Sequence, residues 1–284
     1  MKIFNKYMIL LTFILISLLC INVTSGSIEL KNNINHIHVI KNKSILDNII
    51  ECGIIRIGTT GDYVPFSYYP ISSPSQLIGI DIDMANDLGI ALGVSVVFVN
   101  TTWDSLNHDL LNDKFDIAMS GITITLNRQK QFLFSGPLMA SGKAAISRDQ
   151  DSDKYITINS INQPTVRVIT NPGGTNEEFA LINFPLAQLI INVDNINIFE
   201  EIVIGNADVM VTDAVETLVQ QIIQPDLSAI HPEDPYDFFE YGYMLNRDHT
   251  LKAFIDQWIH LRVSDGTYQA IFDTQMERIV TDYA

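Results

Sequence analysis

From Ile54 onward, short β-branched runs alternate with stretches whose apolar residues recur at helical spacing, the pattern of an α/β fold. Ile54–Ile57 reads as a strand. In the stretch after Gly79, Met84, Leu88, Ala91 and Leu92 fall on one helical face, with Asp81 as the expected cap and Gly93 as the stop. A strand over Val94–Val99, a helix carrying Trp103, Leu106, Leu110 and Leu111, a strand over Phe115–Met119 and a short helix after Thr125 continue the rhythm. A charged segment, Arg148–Lys154, interrupts it. It then resumes with strands over Val166–Ile169, Leu189–Val193 and Asp208–Thr212 and helices from Asn176, over Ile196–Ile204 and over Ala214–Ile223. The proline-bearing stretch Pro225–Pro235 closes this second series. A strand over Tyr241–Leu245 and a helix with Leu251, Phe254, Ile255, Trp258 and Leu261 follow, and the chain is expected to return there to its first lobe.

Upstream, an unbroken apolar run from Tyr7 to Cys20 stands behind Lys2 and Lys6 and ahead of the small residues Thr24, Ser25 and Gly26. This is the layout of a cleaved signal peptide over residues 1–26. No later stretch reaches the roughly 20 apolar residues of a spanning helix, so no stable membrane insertion is expected once the signal is removed. Residues 27–45 are polar, rich in Asn and Lys, and read as a flexible extension. The protein is therefore expected to be exported, whether to a periplasm, the extracellular space or a secretory lumen.

With 47% hydrophobic and 18% charged residues, the chain carries enough apolar side chains for one large core or two. Its formal charge of −16 becomes more negative by two units when Lys2 and Lys6 leave with the signal, and the acids are dispersed. A surface of that sign repels nucleic acid, which is excluded as a partner. Of the two cysteines, Cys20 is expected to leave with the signal, so no internal disulfide is expected and Cys52 reads as a structural thiol. Assembly into a homo-oligomer stays open at this stage.

His-Glu-x-x-His, Gly-x-Ser-x-Gly and Cys-x-x-Cys are absent. The turns Thr59-Thr60-Gly61-Asp62 and Asn171-Pro172-Gly173-Gly174-Thr175-Asn176-Glu177 lack the lysine of a phosphate loop. They bring backbone N–H groups and short hydroxyls to a helix start, an arrangement that suits a carboxylate. The turn Ser120–Arg128 adds a guanidinium, able to grip a carboxylate with two parallel N–H bonds, although Arg128 could equally be a surface residue near a helix start. Tyr63, Phe66 and Trp103 could pack a core or face a ligand.

Gly-Thr-Thr-Gly-Asp-Tyr-x-Pro-Phe at 58–66, Gly-Ile-Asp-Ile-Asp-Met-Ala at 79–85, Phe-Asp-Ile-Ala-Met-Ser-Gly-Ile-Thr-Ile-Thr at 115–125 and Phe-Ser-Gly-Pro at 134–137 resemble the polar amino-acid family of periplasmic solute-binding proteins. Asn-Pro-Gly-Gly-Thr-Asn-Glu at 171–177, Ala-Asp-Val-Met-Val-Thr-Asp-Ala at 207–214 and Tyr-Gly-Tyr-Met-Leu at 241–245 resemble its enzymatic branch, the cyclohexadienyl dehydratases. The resemblance implies a two-lobed, type II periplasmic-binding-protein-like α/β fold with two crossover strands. Lobe 1 would be discontinuous, 46–145 plus 238–284, and lobe 2 would span 146–237. It further implies a carboxylate substrate held by Arg128 with Gly121, Thr123, Thr175 and Asn176, a ring walled by Tyr63 and Trp103, and Glu177 as general acid. Asp213 would hold a ligand ammonium or merely cap a helix. The implied reaction is dehydration with decarboxylation of prephenate, arogenate or both, with no metal or organic cofactor. The alternative is a non-catalytic binder of a polar amino acid or related carboxylate.

Overall fold

The computed structural model describes residues 43–283; the expected signal peptide and residues 27–42 of the expected extension lie outside the described residues. Two five-stranded sheets form the frame. Ser44 opens the first helix, α1 (Ile45–Cys52), with a reciprocal capping box to Asp47, and Gly53 closes it in the left-handed region. Cys52 is half-buried at the end of α1. Then come β1 (Ile54–Thr59), α2 (Ile80–Leu92), β2 (Ser95–Asn100), α3 (Leu106–Leu111), β3 (Ile117–Ala118), α4 (Leu126–Gln129) and β4 (Leu133–Phe134).

The chain next enters the second sheet: β5 (Lys143–Arg148), β6 (Arg167–Thr170), α5 (Thr175–Asn183), β7 (Gln188–Ile191), α6 (Glu200–Val203), β8 (Val209–Asp213), α7 (Ala214–Ile223) and β9 (Leu227–Ile230). It returns through β10 (Met244–Leu245) to the first sheet and ends in α8 (His249–Ser264) and α9 (Thr267–Tyr283).

Both sheets follow one plan. The first has the order β2-β1-β3-β10-β4 and the second β7-β6-β8-β5-β9. In each, three parallel strands are followed by an antiparallel strand that arrives from the other lobe, β10 in one and β5 in the other. The two passages run side by side, Ala140–Ser141 paired antiparallel with Phe239–Glu240. This is the expected two-lobed α/β architecture with two crossover strands.

Helices cover both faces of each sheet, so the strands read as nearly continuous apolar runs. On β8, Val209 and Val211 point to the cluster with Val168 and Phe184, whereas Met210 points to the one with Ile146 and Ile202. In the first lobe Ile55, Ile57, Leu88 and Ile255 build one core, and Leu106, Leu110, Phe115 and Phe132 the other. A further cluster joins the lobes: Val219 on α7 packs with Tyr68, Ile78 and Ile279, so α9 seals one side of the junction.

Asp81 does not cap α2, whose N-cap is Gly79 without any side-chain bond. It is buried instead, accepting from Gly121 N at 2.6 Å and from the Tyr243 phenol at 3.1 Å. Burial outweighs both bonds and pushes its pKa up to about 7. The expected helix over Ile196–Ile204 shrinks to α6, and the helix containing Trp103 starts only at Leu106.

Candidate active site

Ligand sites of parallel sheets form beyond the carboxyl ends of the strands. Here the ends of β1, β3, β6 and β8 from the two lobes converge on one cavity. Its lining contains eight of the nine residues that the resemblance assigns to the site: Tyr63, Trp103, Gly121, Thr123, Arg128, Thr175, Asn176 and Asp213.

The first lobe supplies an aromatic wall and a cation. Tyr63 and Trp103 meet edge to face, ring centroids 5.7 Å apart, and Trp103 Nε1 donates to Asp62 Oδ1 at 3.1 Å. Phe66 packs behind them against Tyr241 in the core, the two rings tilted by 47°, and does not line the cavity. Thr125 caps α4 by accepting from Arg128 N at 3.1 Å, which fixes where the Arg128 side chain starts. One guanidinium nitrogen donates to Thr123 O at 2.9 Å, and Arg128 forms no ion pair within 4 Å among the described residues. Burial draws its pKa down, opposed by the negative charges of Glu178 and Asp213. Most of its donors therefore remain for an incoming anion.

Gly121 contributes backbone rather than a free amide, because its N–H is already held by Asp81. Its φ of +61° is a left-handed conformation, and a Cβ there would lie 2.5 Å from Phe66 Cδ2 and 2.6 Å from Tyr63 Cε1. Gly121→Ala is therefore expected to destabilise the fold by roughly 2–4 kcal/mol, combining backbone strain with overpacking. Urea denaturation of the variant and the parent measures this.

The second lobe supplies a buried polar network. Asp213 ends β8 and makes no cap bond to α7. Its Oδ1 accepts from Lys143 Nζ, and its Oδ2 accepts from the phenols of Tyr63 and Tyr241, the latter at 2.7 Å. Lys143 also donates to Thr175 Oγ1 at 3.0 Å and to Asn176 Oδ1. Asn176 Nδ2 donates in turn to Thr212 Oγ1 at 2.9 Å, and the Thr212 hydroxyl donates to Glu216.

Glu216 lies in the first turn of α7, lines the cavity and is 3% exposed. Burial pushes its pKa up to about 8; the charge of Asp213 adds to this, and the Thr212 bond and Lys143 oppose it. At neutral pH it is a carboxylic acid with a proton to give.

Glu177 is elsewhere. Its Oε2 accepts from Gly173 N at 2.8 Å, and it is not part of the cavity wall. The unpaired N–H groups at a helix start attract a first-turn carboxylate. Asn176 faces the network, and the next residue of a helix points about 100° away. Neither Lys143 nor Glu216 was singled out from the sequence, although an acid three positions after Asp213 inside the apolar run Ala214–Ile223 is a usable signal.

Several contacts cross between the lobes. Besides the two phenols on Asp213, Asn195 Nδ2 donates to Asp62 O at 3.2 Å. Among the described residues no group of three or more His, Cys, Asp or Glu could hold a metal ion, and no helix is long and apolar enough to cross a membrane.

The bacterial extracellular solute-binding protein family 3 model matches residues 55–277. The chain is 45% identical over 224 residues to a cyclohexadienyl dehydratase of Pseudomonas aeruginosa, covering 79% of this chain and 83% of that one. Among solved structures, an ancestral amino acid-binding protein described as a precursor of cyclohexadienyl dehydratase is similar, with a TM-score of 0.75 and 34% identity over 82% of this chain and all of that one. An ancestral cyclohexadienyl dehydratase is 44% identical, with a TM-score of 0.52 over 83% of this chain and 97% of that one. Two matched sheets, paired crossovers and a cleft between the lobes agree with these likenesses, and the chain belongs to the bacterial extracellular solute-binding proteins, family 3.

Proposed function

We propose that this protein is an exported cyclohexadienyl dehydratase that converts prephenate to phenylpyruvate, arogenate to phenylalanine, or both. The observation that carries the reading is Glu216: a buried acid on the cavity wall, protonated at neutral pH, in a cleft that also holds a guanidinium with donors to spare. The 45% identity to a cyclohexadienyl dehydratase supports it.

Arg128 holds a substrate carboxylate, with the Thr123 and Thr175 hydroxyls beside it, and Tyr63 and Trp103 flank the ring. Glu216 delivers its proton to the ring hydroxyl. That carbon–oxygen bond breaks with loss of water as the ring carboxylate leaves as carbon dioxide, its bonding electrons completing the aromatic ring. Aromatisation supplies the driving force, so the protein needs to orient the substrate and give one proton. The new Glu216 carboxylate is steadied by the Thr212 hydroxyl and the positive charge of Lys143 until solvent returns the proton. Glu177, as placed, serves the Gly173 turn rather than this step.

The lobes divide near residues 146 and 237, a reading supported by the paired crossover segments. A second reading, a non-catalytic carrier of a polar amino acid or related carboxylate, draws on the likeness to the ancestral amino acid-binding protein. Incubation of the chain lacking residues 1–26 with prephenate and separately with arogenate distinguishes the two. Phenylpyruvate or phenylalanine formed well above background is the expected result. Absence of turnover, with thermal stabilisation by an amino acid, would replace the dehydratase reading with the carrier one.

A further inference from the structure

We infer that Lys143 is a specificity-determining residue: its ammonium occupies Asp213, so that the cavity selects the 2-oxo acid prephenate over its amino counterpart arogenate. This rests on the dehydratase reading above.

The pair is built into the sheet. Lys143 on β5 and Asp213 on β8 are direct partners in the antiparallel ladder, which sets their side chains on one face within contact range. Both are buried, at 2% and 5% exposure. An ammonium has three N–H donors, and Lys143 places them on Asp213, Asn176 and Thr175. The other oxygen of Asp213 is filled by two phenols. Asp213 and Glu216 are the carboxyl groups on the cavity wall. An incoming ammonium thus finds one of them already neutralised and the other carrying a proton. To reach Asp213 it must displace Lys143, leaving a buried cation unpaired, or sit beside it as a like charge.

The neighbouring hydroxyl points the same way. Thr175 Oγ1 accepts from Lys143, so its own O–H is left to donate into the cavity it lines. A donor there meets the oxygen of a 2-oxo group or a carboxylate and opposes an ammonium.

The test compares kcat/KM for prephenate and arogenate, together with titration of phenylpyruvate and phenylalanine as non-reacting ligands. The parent chain is expected to favour the oxo acid in both by at least about tenfold. Lys143→Met is expected to pull both ratios toward the amino compound by a similar factor, because Asp213 is then open to the ligand. Should that variant not fold, the parent's two ratios still decide. Equal or arogenate-favouring turnover overturns the inference and leaves the dehydratase standing, as does tighter binding of phenylalanine. A Lys143→Met ratio identical to the parent's removes Lys143 from the selection. Turnover of neither substrate overturns the dehydratase reading instead.

Discussion

Glu216→Gln is expected to lower turnover by about 10²–10⁴, the usual scale of general acid catalysis, while Glu177→Gln stays near the parent rate. Glutamine keeps the size of the side chain and an oxygen to accept from Thr212, so binding of phenylpyruvate should persist; what is lost is the proton. Both variants are measured by the initial rate of product formation at saturating substrate. A collapse in Glu177→Gln with Glu216→Gln intact would return the acid to the helix start of α5.

The pH dependence carries the same assignment. Because burial raises the Glu216 pKa to about 8, the acid form dominates below that value and disappears above it. The rate should therefore fall as pH rises through about 8. Stability has the same sign: a raised folded-state value contributes stability that is full below the ordinary carboxyl range and is lost as pH rises to about 8. Glu216→Gln should abolish that part of the pH dependence of unfolding.

Arg128→Ala is expected to weaken phenylpyruvate binding and raise KM by about a hundredfold, since two charge-assisted hydrogen bonds to a carboxylate are lost together. Arg128→Lys keeps the charge without the fork and should fall between the two. Isothermal titration reads the affinity directly, and a thermal melt separates this from the lost bond to Thr123 O. Unchanged affinity would place the carboxylate anchor on another group.

How much of this could be read from the chain differs with the range of the interactions. The βα rhythm is local, and it revealed both lobes; the strand-end turns carrying Tyr63, Thr123, Arg128, Thr175 and Asn176 were visible because each is a short contiguous run. Lys143 was not, because its meaning depends on Asp213, placed opposite it by a ladder between distant segments. Spacing cannot show that. Glu216 was missed because an acid in a first helical turn ordinarily answers the helix dipole, and only the surrounding burial turns it into a neutral acid. Glu177 presents the opposite case: the right kind of residue in the expected motif, held on its own loop by the backbone N–H of Gly173. The antiparallel entry strand β5 was not read as a strand for a similar reason, since its pairing is wholly non-local, whereas β10 falls inside the strand expected over Tyr241–Leu245.

The phenols of Tyr63 and Tyr241 reach across the cleft to Asp213, and α9 reaches around to α7. In a carrier, a shut cleft is a message that cargo is aboard, legible to whatever docks next. Here the chain's own bonds also cross the cleft, so closure would not report occupancy alone. A molecule wired this way would make a poor messenger, and a reaction vessel whose product can leave only once those two phenols let go.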